Sequence, residues 1–217
     1  QRVEFQDLYY QNIRTGTDTV VSAGSGVRVS GTQRIFGQGP LEKSDNPLSI
    51  AIEGSGFFAV QFPDGEYRYT RDGSFRLNGQ GRIVTSSGNL VRLEGATAIP
   101  RNVTDLAVGE NGVVTGKVDG AFQDFGRITM VMFSNPAGLE AIGSNLYRET
   151  PQSGTALLVD PGYEGAGSLL PGYLETANVE IVTEMVNLIV AQRAFELNSK
   201  SVETADQMWA IANNIKR

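Results

Sequence analysis

The spacing of apolar residues along the chain changes character twice. Residues 1–39 open with QRVEFQDLYYQNI, where Val3, Phe5, Leu8, Tyr9 and Ile13 suggest a short amphipathic element, the remnant of a helix. The small, polar, glycine-spaced run Thr15–Gly31 then reads as an extended loop or weak strand. Residues 40–171 carry the prolines and a series of short β-branched and aromatic runs: AIEGSGFFAVQF, EYRYTR, SFRL, GRIVTS, VTDLAVG, GVVTGKV and GRITMVMF. Asp64-Gly65, Asp72-Gly73, Asn78-Gly79, Asn111-Gly112 and Asp119-Gly120 punctuate them. These pairs tolerate the positive φ of tight turns, so the zone is expected to be a β-rich domain of hairpins, a sandwich or an open barrel. Asn135-Pro136-Ala137-Gly138 breaks the strand rhythm, and Pro151–Gly172 reads as a connector ordered by what it lies against.

Residues 172–217 form the third zone, and from 175 to 215 it has neither proline nor glycine. Ile181, Leu188, Phe195, Val202 and Trp209 recur every seven residues. Ala191, Asn198, Ala205 and Ala212 each follow a large residue by three positions. Large side chains alternating with small ones make a narrow seam suited to helices packed closely side by side, with Asn198 as a register device. Thr176 or Asn178 is placed to cap the helix, Glu180 and Glu184 lie near its positive end, and Lys216 and Arg217 at its negative end. A helix of that length, roughly 60 Å, overhangs a β domain of this size. Its partners are therefore expected in a preceding segment that this sequence lacks, or in neighbouring copies.

Composition narrows the chemistry. The net charge is -6 at pH 7, the wrong sign for nucleic acid or an anionic membrane surface, and no apolar run is long enough to span a bilayer. The chain of 217 residues contains no cysteine and no histidine. That removes disulfides, thiolate nucleophiles and the commonest neutral-pH base and transition-metal ligand, so no catalytic, cofactor or metal site is assigned. Thr70–Ser74 reads as a bend at Asp72-Gly73 beside a surface arginine, Asp64, Glu66 and Asp72 as solvent-facing carboxylates, and Gly162–Gly167 as a connector lacking the strand and helix of a nucleotide site. Gly54, Gly56, Phe57 and Phe58 read as structural, the glycines allowing close backbone approach and the rings anchoring a sheet. The chain begins without Met or a signal core, as expected of a fragment.

Four stretches resemble the axial proteins of the bacterial flagellum, the rod and hook family. They are SGVRVSGTQRIFGQGPL (Ser25–Leu41), GSGFFAVQFPDGEYRYTRDGSFRLNGQGRIVTSSG (Gly54–Gly88), FSNPAGLEAIGSNLYRET (Phe133–Thr150) and the block from Gly162 to Met208. Within the second, Gly56-Phe57-Phe58 and Tyr69-Thr70-Arg71-Asp72-Gly73-Ser74-Phe75 match the family's signature directly, and Gly54 is taken with Gly56, Phe57, Phe58, Thr70, Arg71, Asp72, Gly73 and Phe75 as the β-domain signature. QRAFELNSK followed by TADQM is most similar to the distal-rod type. One departure is the Thr15–Gly24 loop, which is shorter than the insertion associated with distal rods and held to stiffen them.

The resemblance implies a structural subunit without enzymatic activity. Its copies stack into a hollow shaft, terminal helices forming a coiled-coil inner tube and the β domain packing outside. The family's N-terminal helix is absent from this chain. The implied partners are other copies, other rod and hook proteins, the peptidoglycan and outer-membrane rings through which the shaft crosses the periplasm, and the export apparatus, which uses no cleaved signal. A proximal-rod or hook-type paralogue is the nearest alternative. A secreted β-rich binding module is another, with Tyr67, Tyr69 and Tyr163 as its aromatic platform.

Overall fold

A computed structural model describes residues 2–7, 10–15, 19–24, 27–33, 36–163 and 165–215. The described chain is mainly β, with one α-helix at Ile181–Ile215. It divides into two compact units, Gln1–Thr176 and Ala177–Arg217.

The first residues are strands in place of the expected helical remnant and loop. Arg2–Asp7 pairs with Val27–Gln33, and Tyr10–Thr15 pairs with Thr19–Gly24, both antiparallel. Partner numbers add to 34 at every pair from Phe5↔Val29 to Thr15↔Thr19, so both ladders share one register; it shifts by one between Glu4 and Phe5. The stretch taken for a short loop at Thr15–Gly24 is thus largely a strand of that ladder. Val3 and Phe5 alternate as a strand requires, and the backbone finds its hydrogen bonds in Val27 and Val29, beyond the reach of a local reading. The expected positions Leu8 and Tyr9 lie outside the described residues.

The turn chemistry of the β zone is largely as read. Phe57–Gln61 folds back onto Tyr67–Thr70 around Asp64-Gly65, where Gly65 has a φ of 86°. Val113–Val118 folds onto Ala121–Ile128 with only Asp119 and Gly120 between, at φ 50° and 88°, the doubly positive pair of a type I′ turn. Asp72-Gly73 differs. No hairpin closes there: Tyr67–Thr70 stays in its sheet while Arg76–Leu77 pairs with Ile83–Val84. Gly73 is required for space, not for φ, because a Cβ on it would run into the Ile50 carbonyl oxygen.

Two larger sheets result. The nine-stranded sheet runs from Glu140–Gly143 through Leu146–Arg148, Tyr67–Thr70 and Phe57–Gln61 to Leu90–Val91, Ile83–Val84 and Arg76–Leu77, with Met130–Met132 also on Phe57–Gln61 and Leu157–Val159 beyond it. The four-stranded sheet is Leu93–Glu94, Ala121–Ile128, Val113–Val118 and Thr104–Val108. Both feed one core: Phe58 and Val60 from the first meet Val114, Phe125 and Ile128 from the second, with Phe75, Ile50, Ile52 and Leu169. A smaller cluster of Phe57, Tyr69, Val131, Phe133 and Leu139 lies on the other face of the nine-stranded sheet, joined by Phe36 and Tyr147. The connector Pro151–Gly172 contains two strands: Leu157–Val159, and Ser168–Pro171, which pairs with Ile50–Glu53.

The crowding at Gly73 sets a test. Gly73→Ala is expected to cost about 3 kcal/mol in urea unfolding of the β unit, by overpacking. Gly79→Ala, where a Cβ meets nothing within 4 Å, is expected to change it by no more than about 0.5 kcal/mol. Equal effects would contradict the steric account.

Candidate functional site

The signature residues converge on the place where the chain leaves the β unit. Tyr173–Glu175, expected within the helical zone, is a strand paired with Leu41–Lys43. Thr176, a candidate helix cap, instead donates both its backbone N–H (2.9 Å) and its hydroxyl (3.0 Å) to the Pro40 carbonyl. Proline at position 40 keeps its carbonyl as an acceptor while removing a donor that this crowded crossing would have to satisfy.

Arg71 lies beside this crossing and is no surface arginine: 16% of its side chain is exposed, and 12% of that of Glu175. Its Nε donates to Glu175 Oε2 at 3.0 Å, while its two terminal nitrogens donate to the carbonyls of Gly56 (3.2 Å) and Gly54 (3.1 Å). Glu175 uses its other oxygen to accept the Gly39 N–H at 2.9 Å. Gln38 adds a reciprocal pair, donating to Ile52 O at 3.2 Å and accepting from Gly54 N–H at 3.1 Å. Withdrawing a guanidinium and a carboxylate from water is costly unless the geometry meets most of their hydrogen-bonding capacity, and here it does.

The glycines make the approach possible. Gly54 (φ 114°) sits against the Gly167 backbone, and Gly56 (φ 141°) has Met130 where a side chain would go. Phe57 and Phe58 point to opposite faces of the sheet. Phe58 meets Phe75 edge to face at 4.9 Å in the main core, and Phe57 meets Phe36, Phe133 and Tyr147 in the other cluster. Thr70 Oγ1 accepts from Asp72 N–H at 3.0 Å, and Asp72 Oδ1 accepts from the Ser74 N–H and hydroxyl at 3.0 and 2.6 Å. These local bonds shape the bend that carries Arg71 to Glu175. Gln38, Gly39 and Glu175 are the members that local sequence reading missed. Tyr173-Leu174 after the turn at Gly172 was a signal for a short strand, but nothing near Glu175 in sequence points to Arg71.

The helix surface is the second candidate. Among the expected seam residues, Leu188, Phe195, Val202 and Trp209 are 69%, 73%, 62% and 78% exposed. Ala191 and Asn198 are exposed and Ala205 half-buried, while the side chains of Ile181 and Ala212 lie outside those described. At about 100° per residue, these large residues define one face. Val186, Val190, Leu197 and Ile211 are also exposed and fall on nearly the opposite face, with the exposed Val182, Met185, Ile189 and Met208 between the two. The apolar surface is therefore wider than the expected seam. The helix begins at Ile181, so its 35 residues span about 52 Å, with Glu184 in its first turn. The expected charges at Lys216 and Arg217 lie outside the described residues.

The tyrosine platform is not assembled. Tyr69 is buried, packed edge to face on Phe133 at 4.8 Å, whereas Tyr67 is capped by Arg92 4.9 Å from its ring centroid and Tyr163 is exposed.

A model described as the flagellar hook protein FlgE/F/G D1 domain matches residues 51–116, and one described as the flagellar basal body rod FlgEFG protein C-terminal matches residues 170–215. The chain is 45% identical to the flagellar basal-body rod protein FlgG of Buchnera aphidicola subsp. Acyrthosiphon pisum, over 95% of this chain and 83% of that protein. It is 45% identical to the FlgG of Caulobacter vibrioides over 100% of this chain and 86% of that one. The chain belongs to the flagellar basal-body rod protein FlgG family. The FlgE hook protein of Caulobacter vibrioides is more distant, 29% identical over 96% of this chain and 39% of its own length. The rod C-terminal match takes in both Tyr173–Glu175 and the helix, and the D1 match contains Arg71 and its glycine acceptors. Arg71 and Glu175 of this FlgG-family chain therefore both lie within matched regions, whereas residues 38–43 of the crossing precede them.

Burial raises the pKa of Tyr69 above its ordinary value of 10.0, and the nearby Glu149 carboxylate, which accepts the phenol at 3.5 Å, adds to the shift. A raised folded-state pKa means that the contribution of Tyr69 to stability is present below pH 10.0 and lost as pH rises through the folded value. In an ultraviolet titration, one tyrosine is expected to ionise above the ordinary value of 10.0. Tyr69→Phe is expected to remove that late phase, and its persistence would contradict the assignment.

Proposed function

We propose that this chain is a structural subunit of the distal rod of the bacterial flagellum, whose copies pack helically through their C-terminal helices into a hollow drive shaft. The observation that carries this is the 45% identity to FlgG rod proteins along nearly the whole chain, against 29% to a hook protein. The helix supports it. Burying a large aliphatic or aromatic side chain stabilises by about 1.5–3 kcal/mol, and here such residues stand exposed on two nearly opposite faces. Two faces call for neighbours on two sides, the packing of a helix inside a tube wall.

On this reading the seam of Ile181, Leu188, Phe195, Val202 and Trp209, interleaved with Ala191, Asn198, Ala205 and Ala212, joins one helix to the next. The second unit, Ala177–Arg217, supplies the inner layer and the β unit the outer one. The shaft crosses the periplasm, passes through the peptidoglycan and outer-membrane rings, and transmits torque to the hook. Its partners are its own copies, adjoining rod and hook proteins, the ring proteins, and the export apparatus that delivers it without a cleaved signal. The role is structural, not enzymatic.

Leu188→Asp and Val202→Asp, singly and together, are expected to leave the stability of the β unit within about 0.5 kcal/mol of the parent, because both side chains are exposed in the single chain. In cells, the double variant is expected to be produced but to build no rod and support no motility. Motile cells carrying it would overturn the proposal.

A further inference from the structure

We infer that Arg71 and Glu175 are positioning residues, a lock that fixes the last strand of the β unit at the point where the chain passes to the helix. The two compact units divide between Thr176 and Ala177, one residue beyond Glu175. Short, separate pieces of chain meet at this place: 38–40, 52–56, Arg71, and 173–176. The strand Tyr173–Glu175 is three residues long and pairs with a strand of equal length. A two-stranded ladder so short is marginal alone, so its placement depends on the side chains that seize it.

Glu175 is bound from two sides, by Arg71 Nε and by the Gly39 N–H. Arg71 is in turn held on the Gly54 and Gly56 carbonyls, in the turn between the core strands Ile50–Glu53 and Phe57–Gln61. The exit strand continues from Ser168–Pro171, which is already paired with the core strand Ile50–Glu53. The far end of the exit strand is fastened to the core through one guanidinium, whose planar fork serves three acceptors at once; an ammonium offers no such fork. For the function, this makes Arg71 the residue that keeps the last strand of the β unit, from which the chain runs on to the helix, in a fixed place on that unit. That functional half rests on the rod reading, whereas the lock itself does not.

The test uses the purified full chain with Glu175→Gln, Arg71→Lys and the exchange variant R71E/E175R, followed by amide hydrogen exchange. Glu175→Gln keeps the shape and loses the charge. It is expected to speed exchange at Gly39 and Thr176 by about 10- to 100-fold, the range for a charge-assisted bond, while Phe58 and Val60 in the core change by less than about 2-fold. Arg71→Lys is expected to give a similar local rise. R71E/E175R is expected not to restore protection, because a carboxylate at 71 would face the Gly54 and Gly56 carbonyls and a guanidinium at 175 would face the Gly39 N–H. Simple charge attraction predicts rescue instead. Unchanged exchange in both single variants, a uniform rise that includes the core, or full rescue by the exchange variant would each overturn the lock. In cells, Glu175→Gln is expected to lower rod assembly at normal protein level. Normal assembly alongside local loss of protection would remove the functional half alone, whereas motility of the helix double variant would remove the rod reading.

Discussion

A charged side chain that gives up water must find acceptors in the protein, and Arg71 finds all of its recorded partners at one crossing of the chain. That requirement organises much of the β unit. Two carbonyls turn toward the guanidinium, those of Gly54 and Gly56, both of which sit at positive φ with no room for a side chain. The bend at Asp72-Gly73 must pass under the Ile50 carbonyl closely enough to leave no room for a side chain. Glu175 must then arrive from the far end of the unit, bringing its strand with it. Motif residues that look like turn formers are the supports of one buried ion pair.

The helix presents the opposite condition. Its exposed residues include valines, leucines, isoleucines, methionines, a phenylalanine and a tryptophan, placed on two sides. Water is a poor environment for both faces. The β unit gathers most of its described large apolar residues into two clusters on the two faces of its larger sheet, leaving Phe122, Leu157 and Leu158 among the exposed ones. One chain thus joins a unit with a buried core to a helix whose large apolar side chains stand exposed.

The hairpins were legible because their information is local. Asp119-Gly120 adopts two positive φ angles with its strands on either side, and nothing distant is involved. The helix was legible for the same reason, but a seven-residue repeat marks only one of its apolar faces. The signature residues were also visible, but their purpose was not. Asp72-Gly73 resembles the other turns, and only the proximity of Ile50 shows that Gly73 answers to space. Arg71 read as solvent-facing because its partner is 104 residues away. Strand partners were lost in the same manner: Arg2–Asp7 finds its partner at Val27–Gln33, and Tyr173–Glu175 finds its own at Leu41–Lys43. Periodicity reveals what a segment prefers, not which remote segment will share its hydrogen bonds.

The contact between Gly39 and Glu175 spans 136 residues of chain. For a polypeptide that emerges gradually, from a ribosome or through a narrow conduit, this distance acts as a timer. Whichever end comes first waits for the other, and until both are present the Gly39 amide has no carboxylate and Pro40 has no Thr176. The early strands can find each other, but the seal on the unit is set by the last residues to appear. A protein closed in this way completes its fold only once nearly all of that unit is through.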